Sequence, residues 1–207
     1  MTLPAQIQIA QILPCTEAEG PGRRFAIWVQ GCPLRCVECC NPEMLSFDGG
    51  TSVVVDDLID QILQSRSLGI EGVTLIGGEP FAHAAALSRV AAVARDAGLS
   101  VMVFSGYTLA ELKDMADPNV HEFLSHIDLL VDGPYDRTSP DSKRRWIGST
   151  NQRVHFLTNR YSAEDSFWNS ANTLEVRWDG RELIVNGFPA RSAAGLWKRG
   201  RNKESLP

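Results

Sequence analysis

No run of apolar residues in this sequence approaches the ~18 that a membrane-crossing helix requires. The opening stretch "MTLPAQIQIAQILPC" holds neither Lys nor Arg and makes a poor secretory signal. Positive charge is not in excess: the net charge is −5, so no global field recruits nucleic acid. Basic residues gather only at Lys143, Arg144 and Arg145 and in "WKRGRNK" at 197–203, and both groups read as solvated surface. Repeats and low-complexity tracts are absent. His83, His121, His126 and His155 show no metal-ligand spacing to one another. Cysteine is scarce and odd in number, five in all, which fits a disulfide framework badly. These absences point to a cytoplasmic protein whose thiols stay reduced, with no membrane or nucleic-acid partner.

What remains is an ordinary globular composition, 43% hydrophobic and 22% charged over 207 residues. The expectation is one domain over 1–207, with its core at about 20–160, a hairpin extension at about 172–190 and a basic tail at 191–207. Strand-like and helix-like segments alternate. "RFAIWVQG" (24–31), "GVTLIGG" (72–78), "LSVMVFSG" (99–106), "HIDLLVDGP" (126–134) and "QRVHFLTN" (152–159) read as strands. Val55, Leu58, Ile59, Ile62 and Leu63 recur at helical spacing. The Ala-rich stretch ending at Gly98 is a second helix, and Thr108 with Glu111 forms a capping box for a third. Strand–helix–strand repetition implies an α/β fold with a mostly parallel sheet. Five or six strands are too few for a closed eight-stranded barrel of about 250 residues, so an open, partial (βα)-barrel fits better. "LEVRWDGRELIVNGFP" (174–189) adds a C-terminal β-hairpin turning at Asp179–Gly180, expected at a sheet edge.

Four of the five cysteines fall within nine positions of "GCPLRCVECCNPE" (31–43). Cys32, Cys36 and Cys39 are spaced Cys-x-x-x-Cys-x-x-Cys, with Cys40 directly after. Structural zinc normally takes two separated Cys-x-x-Cys pairs, and here the second pair is missing. A 4Fe–4S cluster is larger and can be reached by thiolates strung along one compact loop. On spacing alone, zinc remains an alternative to iron–sulfur. In parallel α/β folds, sites gather on loops after the C-terminal ends of strands. The cysteine loop, "GGEP" (77–80), "SGY" (105–107) and "DGPY" (132–135) all follow strands, so one rim would hold all four.

The cysteine spacing resembles that of the radical S-adenosylmethionine enzymes. The "GPG" of 20–22, the "GC" entry at Gly31–Cys32 and the "NPE" exit of 41–43 are similar to the small, single-cluster activases of glycyl radical enzymes, including that of anaerobic ribonucleotide reductase. "LIGGEP" (75–80), "FSGY" (104–107), "DLLVDGPY" (128–135) and "WIGSTNQRVHF" (146–156) extend the likeness over most of the chain, with Ile147 where those activases carry Arg. The resemblance implies a 4Fe–4S cluster on Cys32, Cys36 and Cys39, leaving one iron open for S-adenosylmethionine. It implies that Gly77, Gly78, Glu79 and Pro80 hold the methionine amino group and that Ser105 meets its carboxylate. Glu38 and Cys40 replace the residues common in activases and fall near the adenine.

The implied enzyme is a radical oxidoreductase that takes a hydrogen atom from a partner's glycine. It would be fed by a low-potential electron donor such as flavodoxin or ferredoxin. Modification of another peptide or a small metabolite is the second reading, and a non-catalytic zinc or iron–sulfur sensor or scaffold the third. Asp132 reads as either a catalytic carboxylate or a strand-end turn residue, and Cys15 as a buried core thiol.

Overall fold

A computed structural model describes residues 4–178, 180 and 183–188. The basic tail read at 191–207 and Asp179 of the hairpin turn lie outside these described residues.

Seven strands form one sheet in the order β3-β1-β2-β4-β5-β6-β7. They are β1 (Gln6–Thr16), β2 (Arg24–Val29), β3 (Thr51–Val54), β4 (Gly72–Gly77), β5 (Ser100–Phe104), β6 (Leu129–Asp132) and β7 (Arg153–Phe156). Strands β2, β4, β5 and β6 run parallel, whereas β1 and β3 on one flank and β7 on the other are antiparallel. Because β3 and β7 are its two ends, the sheet is open. The parallel connections carry α1 (Val55–Ser65), α2 (Ala84–Asp96), α3 (Leu109–Asp114) and α4 (Pro118–Ser125). The α/β class and open parallel core thus match the sequence reading.

Alternation along each strand builds two layers. Phe25, Ile27, Val73, Leu75, Val101 and Val103 pack with Leu58, Ile62, Leu87 and Phe123 of the helices. The alternate residues Ala26 and Trp28 meet Leu13, Met44 and Ile184. Met102, Leu129 and Val131 meet Trp146, Ile147 and Trp168 on that same side, away from the four α-helices. Burial on both faces is what makes the central strands continuous apolar runs.

Arg24 is fully buried at the start of β2. Its guanidinium donates to Thr74 Oγ1 at 3.0 Å, Val73 O at 2.6 Å and Ser100 O at 3.3 Å, and reaches Tyr161 Oη at 3.4 Å. These partners are neutral, so a cage of dipoles rather than a paired anion holds the cation, and burial lowers its pKa. The cage ties the starts of β2, β4 and β5 to the segment after β7.

Three expectations need correction. The C-terminal hairpin, β8 (Leu174–Trp178) with β9 (Leu183–Gly187), is no edge addition: it forms its own two-stranded sheet. Its Ile184 packs with Leu13 and Trp28 on the sheet face away from the four α-helices. Cys15, expected to be buried, is only half-buried against the main core. The strand count is larger than five or six because β3 escaped the reading. This four-residue edge strand is short, its valines run straight into α1, and it pairs with β1.

Candidate functional site

The cysteine loop leaves β2 at Gly31, whose φ of 100° lies in the left-handed region that favours glycine. Its ends are cinched together: Gly31 N donates to Met44 O at 2.9 Å, and Cys32 N to Leu45 O at 3.1 Å. Gln30 Nε2 adds bonds to Glu43 O at 3.0 Å and Ser46 O at 2.7 Å. The "NPE" exit is a short 3-10 turn over Pro42–Met44, started by proline. Within the loop Arg35 and Glu38 hold positive φ, so the chain reverses sharply between the cysteines.

Strand β4 is fastened beneath this loop. Gly78 N donates to Val29 O at 2.8 Å, and Glu79 N to Gly31 O at 2.9 Å. A Cβ on Gly77 would lie 2.6 Å from Val29 N, and one on Gly78 would lie 2.2 Å from Gly31 O. Both glycines are required by close backbone contact. The Glu79 carboxylate is buried and accepts from Phe81 N at 3.0 Å, Ser105 Oγ at 2.9 Å and Gly106 N at 2.9 Å. Burial outweighs these donors and pushes its pKa up to about 7. Ser105 Oγ also accepts from Tyr107 N at 3.1 Å, so Glu79 and Ser105 lock the ends of β4 and β5 to each other.

These strand ends surround a cavity of about 470 Å³, in the range of about 300–1,000 Å³ usual for small-molecule sites. Cys32, Cys36, Cys39 and Cys40 form one side, with Gly77, Gly78, Glu79 and Ser105 beneath them. Trp28, Ile76 and Phe104 supply apolar walls. Of the residues expected from sequence, only Glu38 and Pro80 do not line it. Glu38 pairs instead with Arg137, and Pro80 is buried at the start of a 3-10 turn.

Sequence reasoning missed the deep end of the cavity. Glu19, just before the "GPG" turn, is 3% exposed and lines the cavity with Asn186 and Phe188. Asn186 Nδ2 reaches its carboxyl at 3.5 Å. Burial raises the Glu19 pKa to about 7, more than the Asn186 amide and the Gly187 backbone lower it. A solitary Glu before a turn gave no signal; the hairpin that buries it lies more than 150 residues later, at a separation of 167.

The remaining candidates are structural. Asp132 accepts from Leu109 N at 2.6 Å and so holds the start of α3. His155 Nε2 lies 2.8 Å from the same carboxylate, without the geometry of a hydrogen bond. His83 Nε2 meets Gln30 O at 2.7 Å under the loop, and burial lowers its pKa.

The donor set fits an iron–sulfur cluster better than a lone ion. Among the described residues no group of three or more His, Cys, Asp or Glu is arranged to hold a single metal ion. A cubane, by contrast, takes each thiolate on a different iron, so the sulfurs need share only the cavity. The Asn41 amide donates to Cys39 Sγ at 3.4 Å. The amides of Arg35 and Leu34 face Cys32, although burial still raises that thiol's pKa. Backbone N–H groups aimed at sulfur favour the thiolate form that ligation demands.

The family described as "4Fe-4S single cluster domain" matches residues 18–155. The anaerobic ribonucleoside-triphosphate reductase-activating protein of Vibrio cholerae is 33% identical over 156 residues, covering 72% of this chain and 97% of the relative. Its namesake from enterobacteria phage T4 is 29% identical over 165 residues, 76% of this chain and 96% of the relative. That of Escherichia coli K12 is 30% identical over 155 residues, covering 71% and 97%. Among the described residues no helix is long and apolar enough to cross a membrane.

Proposed function

This chain belongs to the 4Fe-4S single cluster domain family, and from that membership we propose that it is the radical S-adenosylmethionine activase of a glycyl radical enzyme, an anaerobic ribonucleotide reductase. The observation that carries the reading is convergence: the three spaced cysteines and the ends of β4 and β5 line one cavity of about 470 Å³.

Cys32, Cys36 and Cys39 would hold the 4Fe–4S cluster. When bound, cluster and S-adenosylmethionine together supply one-electron cleavage of a carbon–sulfur bond and a carbon radical able to take a hydrogen atom. The chain's own residues hold, orient and exclude water. The glycines at 77 and 78 let β4 lie directly under the loop, fixing the thiols over the strand ends. The Glu79–Ser105–Gly106 bonds keep those ends from moving relative to each other. Trp28, Ile76 and Phe104 present apolar surface where a reactive radical must be kept from solvent. A low-potential donor, flavodoxin or ferredoxin, and a cytoplasmic site of action belong to the same reading.

The test is electron paramagnetic resonance of the anaerobic ribonucleotide reductase from the same organism, incubated anaerobically with this protein, S-adenosylmethionine and a chemical reductant. A glycyl doublet is expected with the wild type and none with Cys36→Ala. A modified product mass without a doublet would refute the activase role.

A further inference from the structure

The hairpin is built inside out. Along β8, Glu175 and Arg177 turn toward the body of the protein while Leu174, Val176 and Trp178 turn away. The inward polar side chains of β8 are engaged with the start of the chain. Glu175 accepts from Thr16 Oγ1 at 2.8 Å and from Glu17 N at 2.7 Å, and Arg177 donates to Cys15 O. On β9, Asn186 donates to Thr16 Oγ1 at 2.9 Å. These bonds fix the register, since a one-residue slip would exchange the two faces. The outward face is therefore apolar by construction: Val176 is 57% exposed, Trp178 66% and Leu183 61%.

Trp178 pairs across the strands with Leu183, and Val176 with Val185. Val185 also lines the cavity, so the outward face adjoins the site through the Val176–Val185 pair. Neither long edge of this two-stranded sheet pairs with a further strand among the described residues. The whole hairpin lies beyond residue 155, where the family match ends.

We propose that the outward face of β8–β9 is the docking surface for the protein substrate, seating an extended apolar segment that flanks the target glycine. The proposal rests on the activase reading above. A backbone glycine can be presented to a cavity on an extended stretch of chain, and an apolar, edge-open hairpin adjoining that cavity suits one. Strand addition supplies backbone bonds, while Val176, Trp178 and Leu183 supply apolar contact. An exposed Trp is the residue type that most often dominates such an interface.

The test compares wild type with the double variant Val176→Ser/Trp178→Ser, both positions being exposed and outside the polar latch. Glycyl radical formation is titrated against the anaerobic ribonucleotide reductase of the same organism. The half-saturating reductase concentration should rise roughly tenfold or more, while reductase-independent release of 5′-deoxyadenosine persists. An unchanged half-saturating concentration overturns the docking surface and leaves the activase reading standing. A wild-type dimer that becomes monomeric in the variant, seen by light scattering, assigns the face to a second copy and overturns the proposal. So does faster hydrogen exchange at 189–207 in the reductase-free variant, which assigns it to the chain's own tail. If wild type places no radical on the reductase, the activase reading falls and this proposal with it.

Discussion

A methyl group on Gly78 would sit 2.2 Å from the carbonyl oxygen of Gly31, the residue that launches the cysteine loop. Backbone cannot yield there as a flexible side chain would, so the loop itself must shift. Misplacement by about 1 Å costs on the order of a hundredfold in a reaction that depends on positioning. Gly78→Ala is therefore expected to lower 5′-deoxyadenosine release roughly a hundredfold in protein that is still folded by circular dichroism. Activity within a factor of about two of wild type would show that the Gly31 contact is not what holds the loop. Glu79 acts at the same scale. Three donors of the chain itself meet its buried carboxylate, which also lines the cavity. The side chain serves as a clamp between strand ends.

Among the elements, the hairpin does most to make this molecule unlike its core. It places Asn186 against Glu19 and buries that carboxyl. Folded, Glu19 holds its proton up to about pH 7, against a reference value of 4.5. The native state thus binds an extra proton between those values, and stability must fall as pH rises through them. The contribution is whole below about pH 4 and lost above about pH 7. Glu19→Gln keeps the shape and removes the titration. It is expected to raise unfolding stability at pH 8.5 by roughly 1–3 kcal/mol and to change it little at pH 4, read from urea midpoints. Parallel wild-type and variant curves across that range would show that Glu19 is hydrated in the folded protein.

At the scale of the whole molecule, local patterns carried the reading far and long-range ones did not. Continuous apolar runs gave β2, β4, β5 and β6, because burial on both faces leaves an unambiguous signature. The Cys32–Cys36–Cys39 spacing and the glycine pair after β4 pointed to one rim, and the cavity brings them to it. Helix α4 was passed over although Asp117 caps it and Pro118 opens it; eight residues hold too few periodic positions to stand out. The side on which the hairpin packs could not be read at all. Its alternation is clear, but only Thr16, Glu17 and Cys15, at the other end of the chain, decide that the polar face turns inward. For the same reason Glu19 and Asn186 gave no hint of a shared cavity.

Everything proposed for this protein depends on three loop cysteines holding a cluster that lets it cleave S-adenosylmethionine. The most direct measurement is 5′-deoxyadenosine formed by anaerobically reconstituted, chemically reduced protein, with iron content determined beside it for wild type and Cys36→Ala. The expected result is about four irons per wild-type chain, with product that disappears in the variant along with the cluster. Wild-type protein that takes up no iron under these conditions, or a variant that still forms product, would rule out a catalytic cluster on these cysteines.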